Sequence, residues 1–410
     1  MQFKRLFKTA EDIANELVAF SNSRGGSIFV GIDDKTGEIV GLDFSQLQAL
    51  GSLVASAADD RMHPVVYPEI ETVLVDGKAV MIITVPKGWD APYTNKKGEI
   101  YVKQGCDKRR VTDNNEILRL FANSGTFQPD RQSIRGTSIN DIDTFALEEF
   151  FERTLHKSPD DLGLPLKKAL QNLFILDEEE QLTLGGLMYF GKQPQRYCQA
   201  FDMKAVWFYG NSIGGTEYRD SKDILGTIPE MFEQGMRFIE SCLHRRQGGQ
   251  NFNSIGILEI PEVSLKEILQ NALVHRSWLK PAPIRLLIFD DRVEIISPGA
   301  LPPTLTVDDI KLGNAFQRNQ LIANLCAKTM DYRGLGSGII RALQADANIE
   351  FHNEVSGDQF RVILRRPTQK TESKEETTQK TESKEESKEE TTQKTESKEE
   401  SKEQTTQKDK

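Results

Sequence analysis

Apolar positions recur in short blocks along this chain, and none follows Pro367. Ile13, Leu17 and Phe20 share one face of a 3.6-residue period, which predicts a helix opened by Thr9 and Asp12, a variant capping box. Asn22-Ser23-Arg24-Gly25-Gly26 supplies its stop. Ser27–Ile32 then reads as a strand, Asp33–Glu38 as a polar turn and Ile39–Leu42 as a returning strand. Further strands are predicted at Ile70–Leu74, Ala79–Val85 and Ile100–Lys103. A helix is predicted near Asn114–Ala122, capped by Asp113 with Glu116 three residues on. Leu182–Gly191 and Met203–Tyr209 read as strands, Phe145–Leu155 and Ile228–Leu243 as amphipathic helices. The paired runs Ile284–Phe289 and Val293–Ser297, with a last strand at Phe360–Leu364, complete the pattern. It predicts an α+β or α/β multidomain protein divided at 1–125, 126–250 and 251–366, followed by a tail over 367–410.

Composition changes this picture mainly at the tail. Glu376–Glu389 repeats identically as Glu390–Glu403. A segment with nothing to bury cannot offset its ordering entropy, so a disordered low-complexity tail is expected. The 410-residue chain is acidic, with a formal charge of −10, and the tail supplies −3 of it through 10 Lys against 13 Asp plus Glu. Nucleic-acid binding would therefore need a local basic patch rather than the global field. Cys106, Cys198, Cys242 and Cys326 are scattered without metal or redox spacing and read as reduced thiols. No signal-peptide pattern and no apolar run near the ~20 residues of a membrane span occurs, so a soluble cytoplasmic protein is expected.

The chemistry concentrates between Val263 and Leu343. Glu267 and Asn271, four apart on a predicted helix, point to one side of it. Two strands and two glycine turns follow, the first at Gly299 and the second at Gly334, Gly336 and Gly338. Glycines there would let backbone N–H groups approach phosphate oxygens at a helix start, an arrangement suited to a nucleoside triphosphate with magnesium. The bland alternative makes Glu267 and Asn271 a surface pair and the glycines a helix cap and packing site. His275-Arg276 at the same helix end reads either as cations opposing the helix dipole or as phosphate contacts. His63, His156, His244 and His352 have no ligand spacing. In the first unit Lys4, Lys103, Lys108, Arg109 and Arg110 form a candidate phosphate-contacting face, or simply a solvated charge run. Tyr93 and Tyr101 would stack bases or be buried strand residues.

These residues resemble two parts of a bacterial family with an N-terminal Schlafen-type AlbA-like domain and a C-terminal ATPase-like domain of the kind associated with RecG helicases. In the first unit the resemblance is carried by Phe3-Lys4, Ala19-Phe20-Ser21-Asn22-Ser23-Arg24-Gly25-Gly26, Gly31-Ile32-Asp33-Asp34, Pro92-Tyr93 and Tyr101-Val102-Lys103-Gln104-Gly105. In the third it is carried by Asn271–Arg276, Ser297-Pro298-Gly299, Arg318-Asn319 and Gly334–Ile339. The third unit is also similar to the GHKL fold of gyrases and histidine kinases. That resemblance makes Glu267 the orienter of an attacking water and Asn271 the ligand of a magnesium ion that comes with ATP.

Two departures bear on function. Catalytic Schlafen-type members cleave RNA with a metal held by several carboxylates. Gln2 stands where one acid would precede Phe3, a further upstream acid has no counterpart, and Asp33 and Asp34 read as turn formers. In the C-terminal unit Ser297-Pro298 stands where the GHKL fold places the Asp that receives the adenine amino group. The expected function is a nucleic-acid-binding transcriptional regulator with an ATP-binding GHKL-like domain and Mg²⁺ as cofactor, a homodimer by family analogy. The alternative is a Schlafen-type metal-dependent nuclease or an ATPase, with phage defence as its setting. A third reading is a scaffold in which neither site works.

Overall fold

The computed structural model describes residues 1–247, 256–303, 305–330, 332, 334 and 336–367. The expected disordered tail from Thr368 lies outside the described residues. The first unit runs β1 (Gln2–Lys4), α1 (Ala10–Ser21), β2 (Gly26–Val30), α2 (Phe44–Asp60), β3 (Met62–His63), β4 (Glu69–Val75) and β5 (Lys78–Val85). It continues with β6 (Thr94–Asn95), β7 (Ile100–Gln104), β8 (Asp107–Val111) and α3 (Asn114–Asn123). Its main sheet has the order β1-β2-β5-β4, with β1 parallel to β2 and the other pairs antiparallel. Ile13 and Leu17 of α1 and Val54 of α2 bury against Ile28 and Ile83 of that sheet. Thr9 caps α1 by accepting from the Asp12 N–H at 3.1 Å, and Gly25, with φ +69°, donates back to Phe20 O to close its end. Asn22 ties two later segments to this helix end. Its amide donates to Tyr93 O and Tyr101 O and accepts from the Tyr93 N–H, all within 3.0 Å. The segment Ile39–Leu42 departs from the expected strand. It makes only single bridges, Ile32 to Ile39 and Leu42 to Ala79, because Gly41 at φ +81° turns the backbone out of the ladder.

The rest of the chain comprises α4 (Thr144–Leu155), α5 (Leu166–Asn172), α6 (Leu184–Phe190), β9 (Met203–Phe208), β10 (Tyr218–Ile224), α7 (Ile228–Cys242), β11 (Arg245–Gln247) and β12 (Gly256–Leu258). It ends with α8 (Glu262–His275), β13 (Ile284–Ile288), β14 (Arg292–Pro298), α9 (Val307–Lys311), α10 (Gln320–Thr329), α11 (Ser337–Ala345), β15 (Glu350–Glu354) and β16 (Gln359–Arg365). The expected division near residue 250 crosses a shared structure. One sheet, β10-β9-β13-β14-β16-β15, takes strands from both sides of it, and one hydrophobic core runs from Ile142 to Leu364. Leu182–Gly191, expected as a strand, is mostly helix α6. Thr183 caps it by accepting from the Gly186 N–H at 3.0 Å, and every residue of α6 is buried. An all-buried apolar run has no periodicity to read, so burial on every side hid the helix. Among the described residues no helix is long and apolar enough to cross a membrane.

Candidate functional site

Helix α8 buries Leu265, Ile268, Leu269 and Leu273 in the core. Glu267, Asn271 and His275 follow one another at four-residue steps, a stripe about 12 Å long at 1.5 Å per residue. The stripe lines a cleft with a cavity volume of about 130 Å³, and Gly299, Gly334, Gly336 and Gly338 line the same cleft. Chain segments far apart in sequence thus bring Glu267, Asn271 and the four glycines to one place.

At one end of the cleft α11 packs on α8. Ser264 Oγ donates to Ala342 O at 2.9 Å, and Gly338 leaves the space that the Glu267 carboxylate occupies. Arg341, one turn beyond Gly338, forms an ion pair with Glu267, whose exposure is only 8%. Gly336 is left-handed at φ +73° and caps α11 without a side-chain bond, so no cap side chain takes the first-turn N–H groups of Ser337 and Gly338. Gly336 is needed for packing as well: the Gly313 carbonyl oxygen stands where its Cβ would be. Both readings of this glycine, ligand approach and close packing, therefore have a physical basis.

The other end is built from His275, Tyr332, Arg318 and the turn at Gly299. His275 Nε2 meets Tyr332 Oη at 3.0 Å, and burial with the nearby Arg318 charge pulls the imidazole pKa down to about 4. The expected cation at this helix end is thus a neutral imidazole. Arg276 is fully buried against Phe201 and Trp278, donates to Ala282 O at 2.7 Å, and lies among the core side chains rather than on a phosphate. Ser297 Oγ donates to Ala272 O at 3.0 Å. Gly299, at φ +99°, fits between Ser277 and Arg318, where a Cβ would come within 2.6 Å of both. Its N–H donates to Asp358 O at 2.8 Å, and Arg119 of α3 approaches Asp358 at 3.8 Å. Arg318, lowered to about 10 by burial and so still charged, donates to Ala300 O at 2.7 Å and to Asn123 Oδ1 at 3.4 Å. The cleft wall is therefore in direct contact with the first unit through α3.

The basic residues of the first unit are largely engaged by acids. Lys103 and Lys108 both pair with Glu16, at 3.4 and 3.2 Å, and Glu16 is only 2% exposed. Lys103 Nζ also donates to Gln2 Oε1 at 2.6 Å. Arg109 grips Glu116 with two hydrogen bonds, Arg110 pairs with Glu99 at 3.0 Å, and both guanidiniums remain about half exposed. Lys4 lies half-buried on β1. Tyr93 is buried, and Tyr101 is half-buried against the core with its hydroxyl donating to Glu99 at 3.0 Å. Asp33 accepts from the Lys35 and Thr36 N–H groups, both at 3.0 Å, which holds its carboxyl below the usual range and accounts for it as a turn former. No cluster of three metal-ligating side chains occurs among the described residues.

Residues 1–112 match the family described as "Schlafen, AlbA_2", and residues 282–364 match "Putative ATP-dependent DNA helicase recG C-terminal". The chain joins a Schlafen AlbA_2 domain to a RecG-type, ATPase-like C-terminal domain. Among solved structures, the DIP2311 protein from Corynebacterium diphtheriae is 22% identical over 87% of this chain and 70% of its own, with a TM-score of 0.46. The N-terminal domain of a "Putative ATP-dependent DNA Helicase RecG-related Protein" from Nitrosomonas europaea is 23% identical over 28% of this chain and 84% of its own, with a TM-score of 0.20. No curated protein matches. The RecG-type match includes Gly299, Gly334, Gly336 and Gly338 but begins after α8. The placing of Glu267 and Asn271 therefore rests on the cleft itself.

Sequence reasoning missed several members of these sites. Arg341 had a signal, since it lies three residues after Gly338 and must face the same neighbour. Glu16 had a weaker one, as a carboxylate beside Leu17 on the buried side of the AlbA_2 helix. The His275–Tyr332 contact spans 57 positions and had none.

Proposed function

We propose that this protein is a nucleic-acid-associated regulator whose C-terminal cleft binds a nucleoside triphosphate, ATP with Mg²⁺, and whose AlbA_2 domain contacts nucleic acid. The convergence of Glu267, Asn271, Gly299, Gly334, Gly336 and Gly338 on one cleft carries the reading. The residues fit the group: Asn271 offers a carboxamide oxygen to the metal, and the uncapped start of α11 offers N–H groups to phosphate oxygens. A bound Mg²⁺ would offset the triphosphate charge. Among the described residues Glu267 is the one carboxylate lining the cleft, and its ion pair with Arg341 holds it in place beside Gly338. The contact of the Gly299 turn and Arg318 with α3 supports a regulator reading, because a change at the cleft would be felt in the first unit.

Thermal unfolding with and without millimolar Mg-ATP tests the cleft. A ligand at a hundred times its Kd stabilises the native state by about 2.7 kcal/mol, and Asn271→Ala should remove most of the resulting shift. Equal, unshifted melting of both proteins would make the cleft structural. For nucleic acid, the half-exposed Arg109 and Arg110 are the most accessible phosphate contacts of the hairpin. Arg109→Ala with Arg110→Ala should weaken all oligonucleotides alike and flatten the dependence of log K on log salt by up to about two units.

A further inference from the structure

The cations of the β7–β8 hairpin are held by acids of their own domain, which leaves open where the bases of a bound strand would lie. Among the described residues the most exposed large aromatic rings are Trp89, 79% exposed, and Tyr67, 78% exposed. They lie 22 positions apart, yet one short ladder brings their segments together. In it Met62 faces Asn95 and His63 faces Thr94, antiparallel. The chain beyond His63, which carries Tyr67, and the chain before Thr94, which carries Trp89, therefore leave the same end of that ladder. The Trp89 loop is firmly seated: Gly88 donates to Ser21 O at 3.0 Å, and the buried ring of Tyr93 lies against Gly88. A rigid loop that holds a tryptophan in water costs burial energy and gains no internal contact for the ring.

Two cations, Arg24 and Lys87, lie close to the Trp89 loop. Gly25, in a left-handed turn, packs against the Lys87 backbone, so Arg24 and Lys87 stand beside each other. Burial, together with the neighbouring Arg24 charge, holds the Lys87 ammonium below its usual range, while Asp309 at the start of α9 acts against them. Two neighbouring cations repel, and a phosphate placed between them relieves that repulsion.

We propose that Trp89 and Tyr67 form a stacking platform for single-stranded nucleic acid, with Arg24 and Lys87 as its phosphate contacts. The proposal deepens the nucleic-acid part of the function proposed above and rests on it. Every base has a π-face, so binding here is indifferent to sequence and needs unpaired bases, while a duplex keeps its bases stacked on each other. The hairpin arginines then steer the strand rather than hold its bases.

The test uses the full-length protein and fluorescein-labelled oligothymidylate and oligouridylate, with a duplex of the same length for comparison. The single strands should bind more tightly than the duplex. Trp89→Ala should weaken them about tenfold, as expected for the loss of one stacked base, and Trp89→Phe should restore most of the affinity. Unlabelled strand should quench the emission of wild type, and the quench should vanish in Trp89→Phe, because Trp278 is buried and Trp207 is half-buried. Arg24→Gln with Lys87→Gln should weaken the single strands at least about tenfold. Wild-type affinity in Trp89→Ala overturns the platform. If Arg109→Ala with Arg110→Ala then still weakens binding, the general reading stands without it; if wild type binds no oligonucleotide, both fall. Self-association of wild type that Trp89→Ala disrupts, with strand binding unaffected, also overturns the proposal and assigns the surface to a second copy of the chain.

Discussion

Gly336→Ala probes the cleft through its tightest backbone approach. Gly336 has φ +73°, where an L residue costs about 1–2 kcal/mol. The new methyl would also sit against the Gly313 carbonyl oxygen, well inside the 3.0 Å that real Cβ contacts respect. The neighbour is backbone, so relief requires α9 and the segment after it to move, and overpacking of that kind costs a further ~1–3 kcal/mol. The expected destabilisation is about 2–5 kcal/mol. Gly210→Ala is the internal control, since Gly210 has φ +68° in the same unit and nothing within 4 Å of its Cβ position. It should show the backbone cost alone. Urea unfolding followed by the emission of the buried Trp278 reports on this unit for both variants. Displacement of Gly313 also moves the wall at Asn314–Phe316, so Gly336→Ala should lose the Mg-ATP thermal shift that Gly210→Ala retains. Equal destabilisation by the two substitutions would refute the close approach, and with it the packing role assigned to Gly336.

Two further outcomes follow from the same geometry. His275 titrates near 4 in the folded protein against 6.5 in the unfolded chain, so its contribution is complete above pH 6.5 and is lost as the pH falls toward 4, because the unfolded chain takes up the proton first. At about 1.4 kcal/mol per pH unit this amounts to at most roughly 3 kcal/mol, and stability measured from pH 7 to 4 should fall less steeply in His275→Asn; identical slopes would remove the buried neutral imidazole from the account. Gln2 is bound to Glu16 and Lys103, and Asp33 is spent on its own turn, so purified protein with Mn²⁺ should leave structured RNA intact. Cleavage abolished by Asp33→Ala would promote the nuclease alternative.

Whatever depends on neighbours along the chain was legible before the fold was known. Capping at Thr9 and Asp113, the helix of α1, the β13–β14 pair and the four-residue spacing of Glu267 and Asn271 are local, and periodicity and cap chemistry act within a few residues. Tertiary structure decided what depends on surroundings. Helix α6 is buried on every side and so carried no amphipathic signature. The candidate basic face is held by Glu16, Glu99 and Glu116, and the charge of a patch depends on which acids fold against it. His275 is neutral because burial removes the water that would stabilise its charged form. Tyr93, a stacking candidate by motif, went inside, while Trp89, four positions earlier and part of no motif, was left in water. Side-chain chemistry can be read from sequence, but exposure and ion pairing belong to the assembled fold, because both are set by residues distant in the chain.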